Sequence, residues 1–149
     1  MTSPIYAIGD IHGQLEQLHK VLDKIERDGG PNAKIVFLGD YVDRGPNSKD
    51  VIELLAEGVK SGKNWHCILG NHDRMFSMFM EDYPRIDYRL KPGYDWFHER
   101  IGGVETLASY GIDADIDRRI YQLHEDAQEA VPQHHLDFIK NLPLTLTAG

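Results

Sequence analysis

Three short apolar runs, each closed by a glycine and then a polar residue, constrain this chain more than any other feature. They are Ile5 to Ile8 before Gly9-Asp10, Ile35 to Leu38 before Gly39-Asp40, and Cys67 to Leu69 before Gly70-Asn71. Continuous apolar runs of this length, rich in Ile and Val, suit strands buried on both faces of a sheet. The stretches between them carry helical spacing. Leu15, Leu18, Leu22 and Ile25 recur three and four residues apart, and so do Val51, Ile52, Leu54, Leu55 and Val59, with Asn47 or Ser48 placed to cap the second helix. Gly and Asn clusters at 28–32 and 61–64 return the chain to each following strand. Strand, helix, strand, helix, strand makes two βαβ units. That predicts an α/β fold with a parallel sheet and right-handed crossovers.

In open α/β sheets ligands bind beyond the carboxyl ends of the strands. Asp10, Asp40 and Asn71 are therefore expected to converge on one sheet edge although they lie far apart in sequence. A glycine before each permits a tight turn and a close approach of backbone to a bound ion. In Gly9-Asp10-Ile11-His12-Gly13, a carboxylate and an imidazole two residues apart can bite one metal ion. Gly39-Asp40-Tyr41-Val42-Asp43-Arg44-Gly45-Pro46 sets two carboxylates beside an arginine, whose planar fork matches phosphate oxygens. In Gly70-Asn71-His72-Asp73, Asn71 offers a neutral oxygen, and His72 offers either a ligand or a general acid.

At 149 residues the chain is one ordinary domain or most of one. A net charge of −8 argues against a nucleic-acid partner, but not against a phosphate substrate, because bound cations can reverse the local sign of an acidic site. Cys67 is the single cysteine, which excludes an intrachain disulfide framework; inside an apolar run it reads as a plain buried thiol. The N-terminus has no basic region leading into a long apolar one, and no stretch approaches the ~20 apolar residues of a membrane span. A cytoplasmic protein with no membrane partner is expected. Beyond Asp73, Met75, Phe76, Met78 and Phe79 read as the core face of a short helix. Residues 83–103 read as irregular, helical stretches follow to about Leu142, and Leu144 to Thr147 as the start of another strand.

The motifs GDIHG, GDYVDRG and GNHD, in this order, resemble the metallophosphoesterase signature GDxHG, GDxVDRG and GNHE of the phosphoprotein phosphatase (serine/threonine protein phosphatase) family. Asp73 stands where many eukaryotic members have Glu, and the segments Gly102 to Leu107 and Ser109 to Gly111 resemble the bacterial branch. The resemblance implies a calcineurin-like sandwich of α/β/β/α layers. This chain would hold its first βαβαβ half and a helical region, as a metallophosphoesterase domain over 1–149 that lacks its C-terminal part.

It also implies two divalent metal ions. Manganese is the expected pair, with iron, zinc, cobalt or nickel as other occupants. Asp10 and His12 would hold the first ion, Asp40 would bridge both, and Asn71 would hold the second and touch the phosphate. A water bridging the ions would be the nucleophile. His72 would be the general acid, oriented by Asp43, and Arg44 would bind phosphate together with Asn71 and His72. The family completes its second metal site with two histidines from later motifs, which this sequence does not contain. His19, His66, His98, His124, His134 and His135 have ordinary contexts and read as structural or solvated. The expected substrate is a phosphorylated protein or a small phosphoester. Hydrolysis of dinucleoside polyphosphates and a truncated, non-catalytic binding module are the alternatives. Asp43 favours the phosphomonoester, because related dinucleoside polyphosphate hydrolases typically lack the aspartate before the arginine.

Overall fold

A computed structural model describes residues 3–85, 87–114 and 118–147. Ile86, 115–117 and the last two residues, which fall within or beside the expected irregular, helical and terminal segments, lie outside the described residues. The three expected strands form: β1 (Ile5–Ile8), β2 (Lys34–Phe37) and β3 (Trp65–Cys67). They make one parallel sheet in the order β1-β2-β3, with Tyr6 opposite Ile35 and Phe37 opposite Cys67. Two helices, α1 (Leu15–Gly29) and α2 (Ser48–Lys60), cross between them.

Both crossovers advance the same way across the sheet, so a common right hand puts α1 and α2 on the same face. Register agrees. Tyr6, Ile35 and Trp65 share a face; the Tyr6 hydroxyl donates to Asp28 at the end of α1, and Trp65 lies so close to Gly58 of α2 that a side chain there would overlap it. Leu18 and Ile25 of α1, Val51, Ile52 and Leu55 of α2, and Ile35 and Phe37 of β2 are buried in one core. This is the α/β arrangement, a parallel sheet with two crossover helices, that the sequence predicts.

Burial on both faces holds for β2 but not for β1. Ile5 is 46% exposed and Ala7 is exposed as well. β1 is an edge strand, and the face carrying Ile5 and Ala7 is the one opposite α1 and α2. Asn47 stands at the α2 N-cap without a side-chain cap bond, and the Ser48 hydroxyl instead meets the Asp43 amide.

After β3 come α3 (Asn71–Phe79), α4 (Gly103–Ser109), α5 (Ile120–Ala130) and α6 (Gln133–Lys140). The Met75, Phe76, Met78 and Phe79 stripe of α3 is buried, as expected of core. The expected strand at Leu144 to Thr147 is absent. That segment joins no ladder, Leu144 is 70% exposed, and the approach to the outer edge of β3 stops at one bond from the Leu69 amide to the Pro143 carbonyl.

Candidate metal centre and proton donor

Asp40 is the hub of the three strand ends. Its carbonyl accepts from the amides of Ile11 and His12 at 3.0 and 2.9 Å, which draws the first junction onto the second. Its carboxylate Oδ1 accepts from the His72 amide at 2.9 Å, which draws in the third. The close fit depends on two glycines. A Cβ on Gly39 would lie 2.6 Å from the Gly70 backbone, and one on Gly70 would lie 2.1 Å from the Asp40 amide nitrogen. These two glycines therefore let the strand ends approach each other; Gly9, by contrast, has open space around it.

Asp73 contributes as much as the expected residues, yet the motif alone gave it no task. Fully buried, it accepts from the amides of Gly70, Asp40 and Tyr41 at 3.0, 2.8 and 2.9 Å. It occupies the third helical position of α3, the reach-back position of a capping box, and there it serves the turn after β2 as well. Burial pushes its carboxyl up to about 7, against the pull of those amides. The loops that it and Asp40 tie together hold four non-glycine residues at positive φ: His12 (44°), Asp40 (57°), Asp43 (77°) and Arg44 (71°). Such backbone costs roughly 1–3 kcal/mol per residue and persists where the surroundings over-determine it.

Ligand atoms of Asp10, His12 and Asp40 lie within 4.8 Å of one another, as the sequence predicted. His12 Nδ1 donates to the Val42 carbonyl at 2.8 Å. A carbonyl only accepts, so Nδ1 carries a proton, and in the neutral tautomer that this leaves, Nε2 faces Asp10, 3.6 Å away, as a bare lone pair. A lone pair facing a carboxylate with no proton between them is an arrangement that a cation satisfies. The donor set fits a divalent ion on that ground. Asn71, the first residue of α3, is exposed beside this group.

His72 does not turn both nitrogens to that cluster. Its Nδ1 donates to Asp43 Oδ2 at 2.7 Å, and its ring stands edge-on to His12 with centroids 4.6 Å apart. Asp43 is fully buried. Trp96 Nε1 donates to its carboxylate at 2.9 Å and the Thr106 hydroxyl donates at 2.7 Å. Burial pushes the Asp43 carboxyl up, and these donors oppose that. Burial depresses His72, but the bond to Asp43 and the charge behind it outweigh burial and carry the imidazole upward. Trp96 and Thr106 were not foreseen. Trp96 comes from the irregular stretch and Thr106 from α4, and only tertiary packing, including the stack of Trp96 on Phe76, brings them here.

Arg44 is exposed at the rim, and its Nε and Nη2 donate to the Arg100 carbonyl at 3.2 and 2.9 Å. That carbonyl aligns the fork rather than leaving it loose. Asp10, Asn71 and Arg44 are the exposed rim of the constellation, whereas Asp43 and Asp73 are buried. A groove of 820 Å³ between α2, α6 and β3 contains none of these residues.

The chain matches the calcineurin-like phosphoesterases over residues 3–148. It belongs to the calcineurin-like phosphoesterase family. "Serine/threonine-protein phosphatase BSL2" of Arabidopsis thaliana is 31% identical over 164 residues, covering 100% of this chain and 15% of that protein. "Putative serine/threonine-protein phosphatase C06A1.3" of Caenorhabditis elegans is 40% identical over 147 residues, covering 95% of this chain and 37% of that one. The chain thus spans well under half of the length of the curated relatives it matches. A calcineurin-like fold is also seen in the crystal structure of a metallophosphoesterase from Sphaerobacter thermophilus, with a TM-score of 0.52 at 22% identity over 97% of this chain and 43% of that one. Motifs, fold and ligand cluster together agree with membership of that family.

Proposed function

We propose that this chain carries the metal-binding and proton-donating half of a phosphomonoester hydrolase of the serine/threonine protein phosphatase type, from the bacterial branch of that family. The observation that supports it most is the Asp43–His72 pair set edge-on to the His12 of a three-ligand metal cluster. Asp10, His12 and Asp40 would hold the first of two divalent ions, manganese for preference, and Asp40 and Asn71 would hold the second. Bound there, the ions would supply a Lewis acid for the phosphoryl oxygens and an activated water.

The remaining work falls to the chain's own side chains. His72, held as the imidazolium by buried Asp43 at Nδ1, presents its Nε2–H edge toward the cluster and gives the Nε2 proton to the departing alkoxide while Nδ1 keeps its own against Asp43, a role worth roughly 10²–10⁴ in rate. Asp43 is a positioning residue here. Its four contacts to His72, Trp96 and Thr106 leave it no freedom to turn. Arg44, aligned by the Arg100 carbonyl, binds the phosphate with Asn71 and His72, and its fixed charge faces the equatorial oxygens as negative charge builds there.

Among the described residues the strand-end cluster comprises Asp10, His12 and Asp40, so the second ion has only Asp40 and Asn71 to hold it. That favours tight binding of one ion and weak binding of the other by this chain. The substrate we assign is a phosphorylated protein or small phosphoester, met in the cytoplasm. Asp43 favours it over a dinucleoside polyphosphate. Turnover of a phosphoserine peptide and of diadenosine tetraphosphate, compared with manganese present, tests the assignment. A clear preference for the peptide is expected. A large preference for the dinucleotide would overturn it, and hydrolysis of neither with ions bound would leave a non-catalytic binding module.

A further inference from the structure

A second group of ligands lies on α2 and α6, away from the strand ends. Glu53 of α2 and His134 and His135 of α6 bring ligand atoms within 4.8 Å of one another, and they share no residue with the Asp10, His12 and Asp40 cluster. The Nε2 atoms of both histidines meet the same oxygen, Glu53 Oε2, that of His134 at 2.7 Å. The two rings stand nearly perpendicular with centroids 4.5 Å apart, so two adjacent residues aim at one point. His135 is fully buried, and its Nδ1 takes a hydrogen bond from the Tyr110 hydroxyl at 2.8 Å.

We infer that Glu53, His134 and His135 form a separate site for a divalent transition ion of the zinc kind. Two imidazoles to one carboxylate is a nitrogen-rich set. It suits zinc, nickel or copper better than the oxygen-loving manganese or magnesium. The protonation of the site accommodates both states. Without an ion, each Nε2–H donates to Glu53 and the Tyr110 hydroxyl donates to His135 Nδ1. With an ion, both rings carry their proton on Nδ1, and the same hydroxyl, which can donate or accept, turns to accept it. Tyr110 is thus the group that orients a buried ligand, as metal-bound histidines generally require. Besides Glu53 and His134, the charges that reach these groups are Lys49 at His135 and Asp50 at Tyr110, of opposite sign. Glu53 and His134 are exposed, which gives an ion an entry path and keeps water or another small ligand at its remaining positions. Bound there, an ion ties α6 to α2 across 81 residues of sequence. It is a clip on the helical layer, not part of the phosphate site.

Zinc binding to the full chain by equilibrium dialysis, with melting temperature alongside, tests the site. An Asp10→Asn, His12→Asn background removes the strand-end cluster. In that background one zinc ion is expected to remain bound and to raise the melting temperature. Adding His134→Asn or Glu53→Gln, both exposed positions, is expected to weaken zinc binding about tenfold or more and to abolish the rise. No zinc bound in the background chain would overturn the inference, and so would zinc binding indifferent to both further substitutions.

Discussion

Two pairs of residues from the same three motifs have opposite fates. Asp43 and Asp73 are fully buried and surrounded by donors, whereas Asp10 and Asn71 are exposed and their side chains, among the described residues, accept no hydrogen bond. The buried pair builds the site. Asp73 holds the turn after β2 against α3, and Asp43 holds His72. The exposed pair is left for something that is not protein. The resemblance already assigns tasks to Asp10, Asn71 and Asp43, but that of Asp73 emerges only from burial and bonding.

That contrast predicts a graded series of effects. Asp73→Ala leaves three amides, that of Tyr41 buried and those of Asp40 and Gly70 half-buried, without an acceptor, and urea denaturation should show about 3 kcal/mol of lost stability. A loss below about 1 kcal/mol would make Asp73 a bystander. Asp43→Asn sets an amide against donors that need an acceptor and should cost about 2 kcal/mol. Its pH signature is more specific. Asp43 raises His72 in the folded chain, so the stabilisation is fully present below the ordinary histidine value of ~6.5 and is lost as pH rises through the raised one. In metal-free protein that loss should vanish in Asp43→Asn, with the His72 ring titrating at or below ~6.5 by NMR.

Arg44→Gly removes a side chain held at positive φ and should raise stability by about 1 kcal/mol while weakening phosphate binding. Equal loss of both would mean that the strain is not kept for function. Asp10→Asn should move stability by no more than ~0.5 kcal/mol, as at other exposed positions, while removing the ion. Cys67 marks the inert end of the scale. Burial pushes its thiol up to about 12, so alkylation at neutral pH should proceed only from unfolded chain.

The βαβαβ half was legible because strand and helix periods are local signals and because Asp10, His12, Asp40, Asn71 and His72 sit where topology must bring them together. The exposed face of β1 was not legible, since Ile5 and Ala7 look the same whether covered or bare. Leu144 to Thr147 has strand composition, but composition supplies no partner strand. Trp96, Thr106 and the three-amide role of Asp73 were hidden because they depend on which loop packs on which. His134 and His135 read as ordinary because their partner, Glu53, lies 81 and 82 residues away with no motif to link them.

Manganese titration followed by electron paramagnetic resonance, on the parent chain, Asp10→Asn and His134→Asn, tests the strand-end metal centre most directly. The expected result is one tightly held manganese in the parent, retained in His134→Asn and lost in Asp10→Asn. Manganese held equally well after Asp10→Asn would contradict the assignment of the three strand ends as the metal centre.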